Sequence, residues 1–240
     1  MIPYVVINGI SSKSVNGLLI QSLPPISKPR LRTEIEEIDG RDGDVVTTLG
    51  YSAYDKELTI GLYGDYDVDD VIEFFNSSGT IVFSNEPDKY YKFAIYEQID
   101  LVKLIRFKTA TVSLHVQPFK YSDSETAINY TYAEGTTSAD ISIRNDGNIY
   151  SKPTLTITGK GSIDVFINNT QILAISLDDT DAETIIISGV AMNAYDPTGV
   201  YMNRQVAGDY DDLRLNAGVN TLTIEGAITS VSISDYSRWV

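Results

Sequence analysis

Cysteine is absent from the 240 residues, and His115 is the only histidine. The lack of thiols excludes disulfide bridges, thiol nucleophiles and thiolate metal sites. The sequence also has no Gly-x-Ser-x-Gly elbow and no glycine loop of the kind that cradles phosphates. We therefore predict a protein that is not an enzyme, with no catalytic residue, no cofactor and no metal site. Paired carboxylates for sugar hydrolysis remain open, because 33 acids could supply a pair, but no pair stands out.

Long apolar runs and a surplus of basic charge are missing as well. Eighteen basic and 33 acidic residues give a net charge of -15, and both halves of the chain are acidic. Such a charge repels nucleic-acid phosphates and anionic lipids, so we predict neither nucleic-acid binding nor membrane insertion. The first residues lack the basic lead and apolar run of a signal peptide, and we expect synthesis in a cytoplasm.

The sequence is rich in short segments that alternate apolar and polar residues with a period of two. Examples are 31–36, 57–63, 110–117 and 163–167, each bounded by Gly, Asn, Asp or Pro. This periodicity is typical of strands with one buried face and predicts an all-β-dominated fold. His115 falls on the polar face of one such strand, where we interpret it as a hydrogen-bonding surface residue rather than a catalytic base.

One segment follows a helical period instead. Val68, Val71, Ile72 and Phe75 form a single stripe after an aspartate suited to N-capping, which predicts one α-helix over 68–77. Gly79 is expected to end it.

The weakest patterning lies between Tyr121 and Ala139, where residues are polar, charged or small. We predict a domain over 1–122, a linker over 123–139 and a second domain over 140–240. The first domain is expected to be β-sandwich-like with one helix. The second has the turn spacing of a β-sandwich or jelly roll.

Acidic loops and aromatic residues suggest two kinds of site. The run 39–44 has some character of a calcium loop, but Arg41 would place a cation inside it, and two Asx-Gly steps favour a hairpin turn. Exposed aromatic rings could stack on sugars, although Tyr and Trp in a β-sandwich are more often half-buried packing residues. The candidate sugar-contact residues are Tyr195, Tyr201, Tyr210 and Trp239.

Several short motifs, in order, resemble the phage tail-component family that contains the distal tail proteins. They are the Gly-Arg-Asp-Gly turn at 40–43, the strand 58–62, the helix ending at Phe74-Phe75, and the strand 112–121, in which Pro118 is expected to stop the ladder. In the second half, 145–159, 208–213, 215–224 and Trp239 are similar to the family's C-terminal galectin-like module.

This resemblance implies a structural hub of a siphophage tail tip or baseplate, carried in the virion. A homo-hexameric ring would join the tail tube protein to the tail-associated lysin-like protein and to the adhesion device, with receptor-binding proteins as further partners. The chain has no long insertion to serve as an extra arm, which favours a plain adaptor role. The alternative is a carbohydrate-binding module that aids attachment to the host surface.

Interface residues are predicted at two places, the loop residues Asp39, Arg41 and Asp42 and the helix residues Phe74 and Phe75. Arg41 is the most informative, because a planar guanidinium can pair across an interface. The alternative for Arg41 is that it only braces its own loop.

Overall fold

The computed structural model describes residues 2–75, 78–133 and 135–240. It divides into two compact units, one extending to Asp123 and the other comprising Ser124–Trp239. Both are built mainly of antiparallel strands, and the predicted all-β-dominated fold is confirmed.

Unit 1 combines strands with two short α-helices. Its elements are β1 (Val5–Ile7), β2 (Ile10–Ser11), β3 (Leu18–Ser22), β4 (Leu31–Glu37), β5 (Asp44–Tyr51), β6 (Tyr54–Leu62), α1 (Val68–Phe75), β7 (Ser78–Phe83), β8 (Lys89–Ala94), α2 (Leu101–Phe107) and β9 (Thr109–Ser122).

The strands of unit 1 other than β4 and β5 form one antiparallel sheet, in the order β2-β1-β7-β8-β9-β6-β3. Its inward side chains alternate with polar ones and share one core with both helices. The core includes Val5, Leu58, Ile60, Ile81, Phe83, Tyr91, Leu104, Val112 and Leu114.

Helix α1 begins where the sequence predicts, and the Asp67 carboxylate caps it by accepting from the Asp69 amide at 2.8 Å. The last two residues of the predicted helix, 76 and 77, lie outside the described residues. Gly79 does not end the helix, because it already belongs to β7 and pairs with Phe93.

Pro118 also differs from its expected role, because β9 continues through it to Ser122. The register between β8 and β9 shifts between Tyr91 and Phe93, and Pro118 lies opposite this irregularity. A proline lacks an amide donor, and a bulge is one of the places in a sheet where none is needed.

Unit 2 contains strands throughout. They are β10 (Ile128–Thr131), β11 (Ser138–Asn145), β12 (Thr154–Ile167), β13 (Thr170–Ser176), β14 (Glu183–Ser188), β15 (Asn193–Tyr195), β16 (Val206–Gly208), β17 (Gly218–Ser234) and β18 (Arg238–Trp239). Strand β10 and the start of β11 fall in the stretch expected to be a linker. The short alternation Ile128-Asn-Tyr-Thr pairs with the end of β17, and Tyr130 packs on the core of unit 2.

Two long strands, β12 and β17, organise unit 2. Each pairs with different neighbours along its two halves: β17 with β11 and then β10, and β12 with β14 and then β13. Their mutual ladder shifts register at Gly159 and near Gly226. At Gly226 (φ +136°) an added Cβ would lie 2.5 Å from the Ser162 carbonyl oxygen, so this close crossing requires glycine. Bulges of this kind let single strands pass from one layer of a sandwich to the other.

Asn145 closes the end of unit 2 with hydrogen bonds from a buried side chain. It is 1% exposed, and its Nδ2 donates to the carbonyl oxygens of Ile149 (2.8 Å) and Leu215 (3.1 Å). Its Oδ1 accepts from the amide of Gly147 at 2.9 Å. One side chain therefore satisfies backbone groups of the turn 147–149 and of Leu215, which are far apart in the sequence.

We expect Asn145→Ala to lower the free energy of unfolding by about 2 kcal/mol or more, because it leaves buried donors and acceptors without partners. Urea unfolding followed by the fluorescence of Trp239 measures this loss. Asn129→Ala is the matched control, since Asn129 is exposed and should give almost no change. Equal stability of the two variants would contradict the role of Asn145.

Candidate interaction surfaces

Strands β4 and β5 form a separate two-stranded hairpin that is not part of the large sheet of unit 1. Every residue of β4 is exposed. In β5, five of the eight residues are exposed and three are partly buried. Seven residues at about 3.4 Å each give the hairpin a length of roughly 23 Å. An isolated two-stranded hairpin is at best marginally stable in water, so this one is expected to gain a partner.

The two faces of the hairpin differ in chemistry. After a bulge near its base, Ile35 lies opposite Val46, and Glu37 lies opposite Asp44 on the same face. Ile35 and Val46 are 60% and 58% exposed. We call this the apolar face of the hairpin; it ends in an acidic pair. The opposite face carries Glu34 and Glu36.

The predicted interface residues Asp39, Arg41 and Asp42 form the tip of this hairpin, and all three are exposed. The turn depends on Gly40 (φ +81°) and Gly43 (φ +79°), which fits the expected hairpin rather than a calcium loop. Arg41 takes part in none of the ion pairs among the described residues.

The other two predicted interface residues lie elsewhere. Phe74 and Phe75 are 8% and 1% exposed and pack edge to face in the core of unit 1, with ring centroids 4.9 Å apart. The helical stripe that includes Phe75 faces the sheet. Both rings therefore belong to the core of unit 1, and their burial leaves little surface for contact with a partner.

The segment 23–30, which we call the strap, leads from β3 into the hairpin and is fastened by side-chain donors. Lys56 Nζ donates to the Pro25 carbonyl oxygen at 2.7 Å, and Asn85 Nδ2 donates to that of Pro24 at 3.3 Å. At the base of the hairpin, the rings of Tyr51 and Phe119 meet edge to face at 5.5 Å. These contacts fix where the hairpin leaves unit 1.

Lys56 is unusual because it is only 4% exposed. Its ammonium lies 5.1 Å from the centre of the Tyr91 ring and 5.4 Å from that of Tyr54. Burial lowers the pKa of Lys56, while the charge of Glu86 partly opposes the shift.

Glu86 completes this buried polar cluster. Its carboxylate accepts from Lys120 Nζ at 2.9 Å and from the Tyr91 hydroxyl at 2.6 Å. Burial, and then the hydrogen bond to Glu86, raise the pKa of Tyr91 well above its usual range, so this phenol stays protonated. The groups of this cluster therefore satisfy one another inside unit 1.

His115 lies at the surface, as predicted, and its Nδ1 is 2.7 Å from an oxygen of Asp55. Among the described residues, no cluster of three or more His, Cys, Asp or Glu side chains is arranged to hold a metal ion. No helix within residues 2–75, 78–133 and 135–240 is long and apolar enough to cross a bilayer.

Unit 2 has a surface depression of about 440 Å³ that is lined by one of the candidate sugar-contact residues, Tyr201. Tyr201 is 72% exposed on its rim, and the backbones of Tyr195 and Tyr201 pair in an isolated bridge. Tyr210 is half-buried nearby, and its hydroxyl donates to Asn203 at 3.1 Å. Trp239 is not among the lining residues; it lies in β18. The polar lining is Glu183, Thr184, Asp196 and Gln205.

Comparison with solved structures identifies the fold over the whole chain. The SPP1 Dit (gp 19.1) protein aligns with a TM-score of 0.61 at 17% identity and covers 100% of both chains. A chain of the activated phage P2 baseplate with Ca aligns with a TM-score of 0.52 at 10% identity, over 100% of this chain and 99% of that one. The resemblance to distal tail proteins inferred from short motifs is confirmed at the level of the fold.

Comparisons of sequence alone find nothing: no family model and no curated protein matches this chain. The likeness is therefore carried by backbone arrangement rather than by shared residues.

We expect Lys56→Met to loosen the strap without unfolding unit 1. Methionine fills the same space, and removal of the buried charge offsets the lost hydrogen bond, so global stability should change by less than about 1 kcal/mol. Hydrogen exchange of the Ser52 amide, which donates to the Arg30 carbonyl oxygen at the end of the strap at 2.9 Å, should quicken about tenfold. Lys92→Met is the control in the same unit and should leave strap exchange unchanged. Unaltered exchange in Lys56→Met would show that other contacts hold the strap.

Proposed function

We propose that the chain is a structural hub of a siphophage tail tip or baseplate, made in the cytoplasm of a bacterial host and carried in the virion. The observation that carries this proposal is the end-to-end likeness to the SPP1 Dit protein, described as a hub of the adsorption apparatus in phages that infect Gram-positive bacteria. The match covers both chains completely, so both units take part in it.

We further propose that unit 1 forms a homo-hexameric ring and that unit 2 is a galectin-like domain arranged outside it. The exposed hairpin supports this assignment, because its uncovered apolar side chains and free edges favour contact with another chain. Head-to-tail contacts between identical copies can close into a ring in which no copy keeps an unpaired contact surface. Asp39, Arg41 and Asp42 at the hairpin tip are proposed contact residues in this assembly.

The ring would join the tail tube protein to the tail-associated lysin-like protein and provide a platform for receptor-binding proteins. The net charge of -15 suits such a position, because an acidic channel lets DNA pass without binding it. Neither catalysis nor a cofactor is needed for this role.

The purified protein should therefore self-associate, with a mass near six times 26.5 kDa at high concentration. Light scattering coupled to size exclusion across a concentration series measures this mass, and electron microscopy of the same fractions should show rings. Arg41→Ala is expected to shift assembly to higher concentration, and rings that form unchanged would remove Arg41 from the interface. A protein that stays monomeric at every concentration contradicts ring formation by this chain alone.

Sugar binding by unit 2 is the second candidate function, and the depression next to Tyr201 is the observation that favours it. An exposed aromatic ring beside carboxylate and amide groups is a common way to hold a pyranose ring, with stacking on one side and hydrogen bonds on the other.

If unit 2 binds sugar, a glycan array probed with the full chain should give signals that Tyr201→Ala weakens roughly tenfold. Tyr63→Ala is the control, because Tyr63 is 62% exposed but belongs to unit 1. The absence of any wild-type binding at millimolar sugar would leave the depression without this role and unit 2 purely structural.

A further inference from the structure

Helix α2 presents apolar side chains to solvent, which is unusual for a helix packed on a sheet. Leu104 faces inward and is fully buried, whereas Val102, Ile105 and Phe107 are 74%, 46% and 62% exposed. The helix itself is well formed, since the Asp100 carboxylate accepts from the Lys103 amide at 2.8 Å. The exposed rows of α2 are therefore a fixed feature of the surface of unit 1.

The same helix carries basic charge in an otherwise acidic chain. Residues 101–108 contain Lys103, Arg106 and Lys108 and no acid, whereas the whole chain has a net charge of -15. Lys108 is engaged by the hydroxyl and ring of Tyr66. Lys103 and Arg106 remain exposed between the apolar side chains. We call Val102, Lys103, Ile105, Arg106 and Phe107 the α2 surface.

The hairpin has the complementary character. Its residues 31–51 contain two arginines and six acids, a net charge of -4. Along its apolar face, the pair Ile35 and Val46 is followed by the pair Glu37 and Asp44. The apolar pair and the acidic pair that follows it on the hairpin are complementary to the mixed apolar and basic side chains of the α2 surface.

The positions of the two surfaces in unit 1 favour contact between copies. The hairpin ends at Tyr51, just before β6 begins at Tyr54, whereas α2 adjoins the far end of β6, where the Leu62 amide donates to the Lys108 carbonyl oxygen at 3.3 Å. Nine residues of strand separate these ends by about 27 Å. A heterologous, head-to-tail contact requires two different, complementary surfaces on each copy, and the two ends of β6 in unit 1 provide them.

We propose that the apolar face of the hairpin of one copy docks on the α2 surface of the next copy. Ile35 and Val46 then pack against Val102 and Ile105. This inference rests on the proposed ring and specifies which surfaces form it.

Charge fixes the register of this contact. Glu37 and Asp44 near the tip pair with Lys103 and Arg106 of the neighbouring α2. The other helix of unit 1 does not fit as the acceptor, because α1 carries acids at its first turn and would repel the acidic hairpin.

The absence of cysteine allows a direct test by cross-linking. A full chain with Ile35→Cys and Ile105→Cys has one thiol in each surface, so mild oxidation should give a ladder of covalent oligomers on a non-reducing gel. Thr47→Cys with Ile105→Cys is the matched control, because Thr47 lies on the opposite face of the hairpin. It should give little or no ladder.

Charge reversal gives an independent readout by light scattering. Lys103→Glu with Arg106→Glu, and separately Glu37→Lys with Asp44→Lys, should each raise the concentration needed for assembly by about tenfold or more. Combining all four changes should restore assembly, which no general loss of folding would do.

A second double variant, Glu34→Lys with Glu36→Lys, makes the same charge change on the opposite face and should assemble like the wild type. Wild-type rings without a cysteine ladder and without charge sensitivity would overturn this contact and leave the proposed hub intact. Equal ladders from both cysteine pairs, or covalent dimers from Ile35→Cys alone, would also overturn it. A chain that forms neither rings nor ladders would overturn both the contact and ring formation by this chain alone.

Discussion

A two-stranded ribbon cannot bury its own apolar side chains, and this constraint links the fold of unit 1 to assembly. In the large sheet of each unit, inward residues meet the core of that unit, so each strand contributes to stability in the isolated chain. The hairpin β4–β5 has no such core, and Ile35 and Val46 remain in water. The hairpin alternates apolar and polar residues without a core to face, and this pattern has a physical reason if another protein covers one side of it.

Electrostatics then restricts what can cover it. The chain is acidic in both halves, so a surface taken at random repels the acidic hairpin rather than attracting it. The α2 surface differs, because Lys103 and Arg106 lie in the stretch 101–108, which contains no acid. Repulsion from acidic surfaces and attraction to the α2 surface would together give specificity, since a wrong docking is penalised as well as the right one favoured.

Much of the fold follows from alternation in the sequence, but exposure does not. The segments 57–63, 110–117 and 163–167 became strands with buried faces, as predicted. The segment 31–36 has the same pattern and is entirely exposed, because alternation indicates that a strand has two faces and not what covers them.

Helix α2 is not predicted from the sequence for a related reason. Its exposed Val102 and Ile105 disrupt the polar stripe that marks a surface helix, and only Asp100, as a cap, could have indicated it. The depression beside Tyr201 brings Glu183 and Thr184 of β14 next to residues 196–205, and no local pattern encodes that contact.

Burying the Lys56 ammonium costs desolvation free energy, and the proposed ring gives a reason for this cost. A buried ammonium adds little to stability, because desolvation opposes the hydrogen bonds and ring contacts it makes. It does hold the Pro25 carbonyl in one place, and the prolines of the strap limit the remaining backbone freedom. A head-to-tail contact closes into a ring only when each copy is rotated by the same angle relative to the last. A loosely attached hairpin would reach its neighbour at many angles and give open chains of copies. The hydrogen bond from Lys56 to the strap restricts that angle and so favours a closed ring over open association.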